Sequence, residues 1–214
     1  MPQLDVFDAK VMGGLLLAIA AIHAVVVLRR WASHELAIIT HFSPKGGCTA
    51  AIVAELATAR SEILVQAYSF SCPDIANALI AAAARRVKVV ILLDRSNEAE
   101  TYSELGDLMR HGLEVWIDAC HAIAHNKVMV IDGRTIITGS FNFTRQAEHE
   151  NAENLLILRD HRDLAVIYRT NFHIHREHCH APGKAPNTST RTDRGHHPAS
   201  TPTGQAHIHS RHAA

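Results

Sequence analysis

At 214 residues, with 47% apolar and 20% charged side chains, the chain is long enough to bury a core and suits one domain with appendages rather than two full domains. Lys plus Arg and Asp plus Glu both number 21, so the overall basic excess of a tight, non-specific DNA binder is absent, while a local basic cleft stays open. Cys48, Cys72, Cys120 and Cys179 form no CxxC pair, which argues against a zinc ribbon and for buried free thiols ahead of disulfides.

Composition divides the chain into 1–35, 36–178 and 179–214. The first zone holds an apolar run over 11–28, broken only by His23 and closed by Arg29 and Arg30. That length is at the lower edge of the about 20 apolar residues of a membrane-spanning helix. Asp5, Asp8 and a single Lys10 make a poor basic start for a signal peptide, and Ala18 and Ala20 offer only a weak cleavage site. The run therefore fits an uncleaved anchor or a signal peptide better than it fits a buried core helix. Export to the periplasm or inner-membrane anchoring follows as an expectation. The Arg pair leaves the orientation open, since positive residues favour the cytoplasmic side.

In the second zone the pattern alternates. A short apolar run over 37–42 predicts a strand, and Ile52, Val53 and Leu56 mark one face of a helix over 49–60. The segment 62–70 is rich in β-branched and aromatic residues and predicts a strand. Ser71, Pro73 and Asp74 then read as the cap and first turn of a helix running to Arg85. A continuous apolar run over 87–93 suits a central strand buried on both faces. A helix over 98–110, ended by Gly112, and a short strand over 114–117 complete the alternation. This order predicts an α/β fold with a sheet covered by helices. The third zone, rich in Pro, Thr, Ser, Gly and His, lacks the apolar surface to offset the entropy of ordering and reads as a disordered tail.

The stretch 125–144 carries the chemistry. Asp132-Gly133 between apolar runs predicts a hairpin with strands over 126–131 and 135–138. Side chains two apart on extended backbone share a face, so His125 projects with Lys127, and Ser140 with Asn142. An imidazole, an ammonium, a hydroxyl and an amide in one pocket suit phosphoryl transfer. A neutral imidazole attacks phosphorus covalently, and Lys127 and Asn142 steady the charge on the non-bridging oxygens without a metal or other cofactor.

His125-x-Lys127-x4-Asp132 followed by Gly139-Ser140-x-Asn142 resembles the HKD motif of the phospholipase D superfamily. Segments 41–53, 63–70, 121–133 and 151–158 extend the resemblance to the bacterial Nuc-type endonuclease branch. Lys45 departs from it, standing where such proteins often have glycine. The resemblance implies a phospholipase D-like α/β sandwich with a mixed sheet flanked by helices. It implies His125 as nucleophile, Lys127 and Asn142 holding phosphate with Ser140 in support, and Glu153 as the carboxylate orienting a catalytic imidazole. Asp132 is a structural residue at the turn. Superfamily enzymes use two such motifs and this chain has one, so the resemblance implies a homodimer with its site shared between two copies of His125.

The function expected is metal-independent hydrolysis of DNA or RNA phosphodiesters through a phosphohistidine. A phospholipase D acting on membrane phospholipids is the alternative, kept open by the apolar N-terminus. A non-catalytic nucleic-acid-binding protein is a second alternative, opposed by the intact motif. Three further features take their plainer reading. His121 and His125 are spaced i, i+4 but lack a third ligand, so His121 reads as structural or pocket-lining. His173, His175, His178, Cys179 and His180 read as the polar face of a last helix entering the tail rather than as a metal site. Ser43, Gly46 and Gly47 resemble a phosphate-cradling turn before a helix, which such a short glycine pair indicates only weakly.

Overall fold

The computed structural model describes residues 6–32 and 37–183, and within the first helix the side chains from residue 12 to residue 25. In chain order the elements are helix α1 (Val6–Ala32), strand β1 (Ala37–Ser43), helix α2 (Cys48–Thr58), strands β2 (Glu62–Ala67) and β3 (Phe70–Ser71), and helix α3 (Pro73–Ala84). Strand β4 (Lys88–Asp94), a 3-10 turn (Arg95–Glu98), helix α4 (Leu105–Arg110) and strand β5 (Glu114–Asp118) follow. Strands β6 (Lys127–Ile131), β7 (Thr135–Gly139) and β8 (Phe143–Thr144), helix α5 (Arg145–His149), strand β9 (Glu153–Arg159) and helix α6 (Arg162–Glu177) complete the chain.

Seven strands form one mixed sheet in the order β1-β9-β7-β6-β2-β4-β5. β2, β4 and β5 run parallel, whereas the β2–β6, β6–β7, β7–β9 and β9–β1 pairs are antiparallel. Alternation along the strands sends side chains to two cores. Ile63, Val65, Ile91, Leu93, Met129 and Ile137 pack with Ile52 and Leu56 of α2 and Ile75 and Leu79 of α3. Leu64, Val90, Leu92, Val128 and Ile136 face the other way, against Ala165 and Phe172 of α6. The α/β sandwich, a mixed sheet with helices on both faces, is thus the observed architecture.

The strand directions gather one set of ends at one edge. The C-terminal ends of β1, β2, β4, β5 and β7 and the N-terminal ends of β6 and β9 lie there, as the pairs Ser43 with Glu153, Ala67 with Lys127, Ala67 with Leu93, and Asp94 with Asp118 record. Every residue of the 125–153 constellation except Asp132 sits at or just beyond this edge. In open α/β sheets such an edge is where ligands bind.

Three local expectations need correction. The helix foreseen over 98–110 is only Leu105–Arg110, preceded by the 3-10 turn. The buried Asn97 amide holds that turn, accepting from Phe70 N–H (3.2 Å) and donating to Tyr68 O (2.7 Å) and Asp94 O (3.0 Å). The cap of α3 is Cys72 rather than Ser71, because Ser71 pairs with Thr144 in the two-stranded β3–β8 sheet. Of the four free cysteines, Cys48 and Cys72 are buried, Cys179 is half-buried and Cys120 is exposed, so the burial foreseen for the thiols holds for only part of the set.

Residues 179–183, assigned to the tail by composition, return to the sheet. His180 exchanges backbone hydrogen bonds with Ile117 (2.8 and 3.0 Å), and Gly183 N–H donates to Glu98 (2.8 Å). The expected disordered stretch from 184 to 214 lies outside the described residues, as do 1–5 and 33–35 of the expected leader. In α1, Leu15, Leu16, Leu17, Ile19 and Ile22 are exposed. Among the described residues no helix is long and apolar enough to cross a membrane.

Candidate active site

The β6–β7 hairpin places the site's charged core. Asp132 (φ 51°) and Gly133 (φ 60°) are both left-handed, the geometry of a tight turn whose twist matches the flanking strands. The Asp132 carboxylate accepts backbone N–H from Ser61 (2.8 Å), Glu62 (3.1 Å) and Arg60 (3.0 Å), and the Ser61 hydroxyl (2.8 Å). Burial alone pushes this carboxyl up, but those hydrogen bonds outweigh it and hold the group below the ordinary aspartate range. Asp132 therefore fastens the far end of β6 to β2.

At the near end, Lys127 is 7% exposed. Its Nζ donates to the His125 carbonyl (2.8 Å) and stands 5.0 Å from the centroid of the Tyr68 ring. Burial pulls its pKa down, and the Glu153 charge offsets this only in part. His125 itself is exposed, with its ring 4.7 Å from that of Tyr68 at 57°. One aromatic thus backs both the imidazole and the ammonium.

Gly139 brings β7 against β9. A Cβ there would come within 2.2 Å of the Asn154 carbonyl, so only glycine permits the approach. The turn that follows directs the Ser140 hydroxyl onto Glu153 Oε2 (2.5 Å), and Asn151 Nδ2 donates to the other carboxylate oxygen (3.1 Å). Asn142 Oδ1 is buried with no hydrogen-bond partner among the described residues. Among the described residues no hydrogen bond joins Glu153 to His125. A cleft of about 400 Å³ lined by Tyr68, Ser69, Ser96, Ala99 and Glu100 opens on the Tyr68 side.

The structure thus brings His125, Lys127, Ser140, Asn142 and Glu153 to one edge and puts Asp132 at the opposite end of β6. Tyr68 was missed by sequence reasoning, although an aromatic just past the end of the 62–67 strand was its available signal. The phosphate-cradle reading of Ser43, Gly46 and Gly47 is displaced. Glu148 fills that position, its carboxylate accepting from Gly47 N–H (3.0 Å) and Thr49 N–H (2.7 Å), so the start of α2 already holds an internal anion. A second cleft, of about 810 Å³, lies beside it between α2, α3 and α5, away from His125. Lys45 has φ 62°, a conformation that favours glycine, which accounts for the glycine expected at this position.

Comparison with known proteins identifies the family. The family model "Cardiolipin synthase, PLD-like domain" matches residues 52–175. A protein named Phospholipase D from Rickettsia bellii is 47% identical over 135 residues, covering 63% of this chain and 67% of its own. A mitochondrial cardiolipin hydrolase from Xenopus tropicalis is 36% identical over 105 residues, covering 49% of this chain and 50% of its own. Among solved structures, the phospholipase D family member Nuc from Salmonella typhimurium superposes with a TM-score of 0.66 at 30% identity, over 68% of this chain and 97% of that one. On sequence, family model and fold together, the chain belongs to the phospholipase D superfamily and is a phosphodiester hydrolase.

Proposed function

We propose that the chain hydrolyses phosphodiester bonds of DNA or RNA, as a homodimer, through a phosphohistidine on His125. The observation that supports this most is the company His125 keeps at the sheet edge. An exposed imidazole stands beside a buried ammonium whose one hydrogen bond among the described residues is to the His125 carbonyl. In this reading His125 attacks phosphorus, a P–N bond forms, and the leaving alkoxide takes a proton from a second imidazole, supplied by the partner's His125. That imidazole then deprotonates water, which breaks the P–N bond and frees His125. Lys127 and Asn142 hold the non-bridging oxygens, Ser140 supports them, and Glu153 orients an imidazole and stabilises its charged form. No step calls for a metal.

The polynucleotide reading is supported by the resemblance of the motif and its flanking segments to Nuc-type endonucleases, and by the span of this chain over 97% of Nuc. A phospholipid substrate is the second reading. It is favoured by Ile123, 58% exposed two residues before His125, by Tyr102, 82% exposed just beyond the cleft residues Ala99 and Glu100, and by the name of the Rickettsia relatives. For the cell we propose an exported or inner-membrane-anchored protein, with the exposed leucines of α1 as its membrane contact.

Purified wild type and His125→Ala are compared in EDTA on plasmid DNA, single-stranded nucleic acid and phosphatidylcholine vesicles. Nucleic-acid cleavage by wild type alone supports the proposal. Choline release alone moves the substrate to lipid. Failure to turn over any of them returns the chain to a binding role.

A further inference from the structure

On the β5 side of the same sheet edge, three imidazoles converge on one buried carboxylate. Asp118 ends β5 and is 2% exposed. Backbone N–H groups of Cys120 (3.1 Å) and His121 (3.3 Å) occupy its Oδ1. Its Oδ2 faces His121 Nδ1 at 2.9 Å, His175 Nδ1 at 3.3 Å and His178 Nε2 at 3.8 Å. The rings pack on one another, His121 on His175 at 4.8 Å, His121 on His178 at 5.0 Å and His175 on His178 at 5.5 Å between centroids. His178 Nε2 is buried with no hydrogen-bond partner among the described residues.

Hydrogen bonding accounts poorly for this arrangement. The two lone pairs of Oδ2 are taken up by His121 and His175, which leaves the third nitrogen, His178 Nε2, buried at 3.8 Å without a hydrogen bond among the described residues. Charging all three rings would set like charges within ring-contact distance. A cation at the centre resolves both problems, because each ring then turns a lone pair inward and gives its proton to the opposite nitrogen. We propose that Asp118, His121, His175 and His178 form a zinc site. One ligand atom from each lies within 4.8 Å of all the others. Zinc bonds of about 2.0–2.1 Å to nitrogen and oxygen in a tetrahedron hold ligand atoms about 3.3–3.4 Å apart, within reach of small side-chain rotations. Three imidazoles and one carboxylate suit zinc, and four protein ligands close the shell as in a structural site.

The set joins three parts of the chain. Asp118 ends β5, His121 lies in the segment leading to His125, and His175 and His178 lie at the end of α6. The ion staples the last helix to the sheet and to the approach to the sheet-edge site. It is a structural ion, so its removal is read in stability rather than in the phosphoryl-transfer steps.

The full chain is stripped with a chelator, dialysed and titrated with zinc, with metal content, Tm and the spectrum of the cobalt-substituted protein as readouts. One zinc per chain is expected, with an upward shift in Tm and tetrahedral cobalt absorption. His175→Ala and His121→Ala should each weaken zinc binding by more than about 100-fold, since even partners outside the ligand shell cost about 10–100-fold. Alanine at the tail histidines His196, His197, His207, His209 and His212 should leave the tight site intact. A wild type that takes up no zinc, zinc uptake that survives both ligand substitutions, or uptake that disappears only with the tail substitutions would overturn the proposal. Should either ligand variant unfold, absence of tetrahedral cobalt absorption in wild type overturns it equally.

Discussion

The two ends of β6 carry the two charged residues of the motif strand and are built in opposite ways. At Asp132 four donors saturate one carboxylate, so the group is spent within the fold. At Lys127 a buried ammonium makes one hydrogen bond among the described residues, to the His125 carbonyl, and faces the Tyr68 π-surface. A saturated charge stabilises the fold and has no capacity left for a ligand. An undersatisfied one is costly to the fold and available to a ligand's oxygens. The strand thus separates an anchor from a reactive end.

Substitutions at the two ends should divide the same way, and the largest effect belongs to the reactive end. His125→Ala should lower kcat roughly 10⁴–10⁶-fold with the fold intact, as removal of a covalent nucleophile does elsewhere; turnover assays paired with circular dichroism measure both. Lys127→Met removes one phosphate-holding charge and should cost about 10²–10³-fold in kcat/KM, with a small gain in stability from the neutral side chain. A Lys127→Met protein with full activity would erase the contrast.

Asp132→Ala should do the reverse. Its orphaned donors should cost about 1–3 kcal/mol of unfolding free energy in denaturant titration, while activity per folded molecule stays near wild type. The pH dependence sharpens the same division. Asp132 is depressed in the folded state, so its stabilisation is present above the unfolded value near about 3.9 and is lost as pH falls through the folded value. Asp132→Asn should remove that acid-side loss. Lys127 is depressed by burial, so it loses its proton sooner than a free lysine. The alkaline limb of the kcat/KM profile should therefore fall below the ordinary lysine value of about 10.4.

Legibility in the sequence follows the range of the forces involved. The hairpin was readable almost residue by residue, because Asp132-Gly133 is a local turn signal and its strands follow period two. The grouping of His125 with Lys127 and of Ser140 with Asn142 needed only strand alternation, whereas Glu153 came through the family resemblance alone. The short α4 was not readable, since Asn97 ties the preceding turn to Tyr68, Phe70 and Asp94. Glu148 at the start of α2 was hidden for the same reason, being about a hundred residues away in sequence. The last histidines were grouped by adjacency as His173, His175, His178, Cys179 and His180. The fold instead leaves His173 exposed and turns His175 and His178 to Asp118 and His121.

The most direct test of the account is to stop the enzyme during turnover of a phosphodiester and locate the phosphoryl group. Rapid quench into alkali, which preserves phosphohistidine, followed by peptide mass spectrometry should find the adduct on His125 and nowhere else. It should form and decay at rates compatible with turnover. Turnover that proceeds at full rate with His125 unmodified, or an adduct on another residue, would contradict the account.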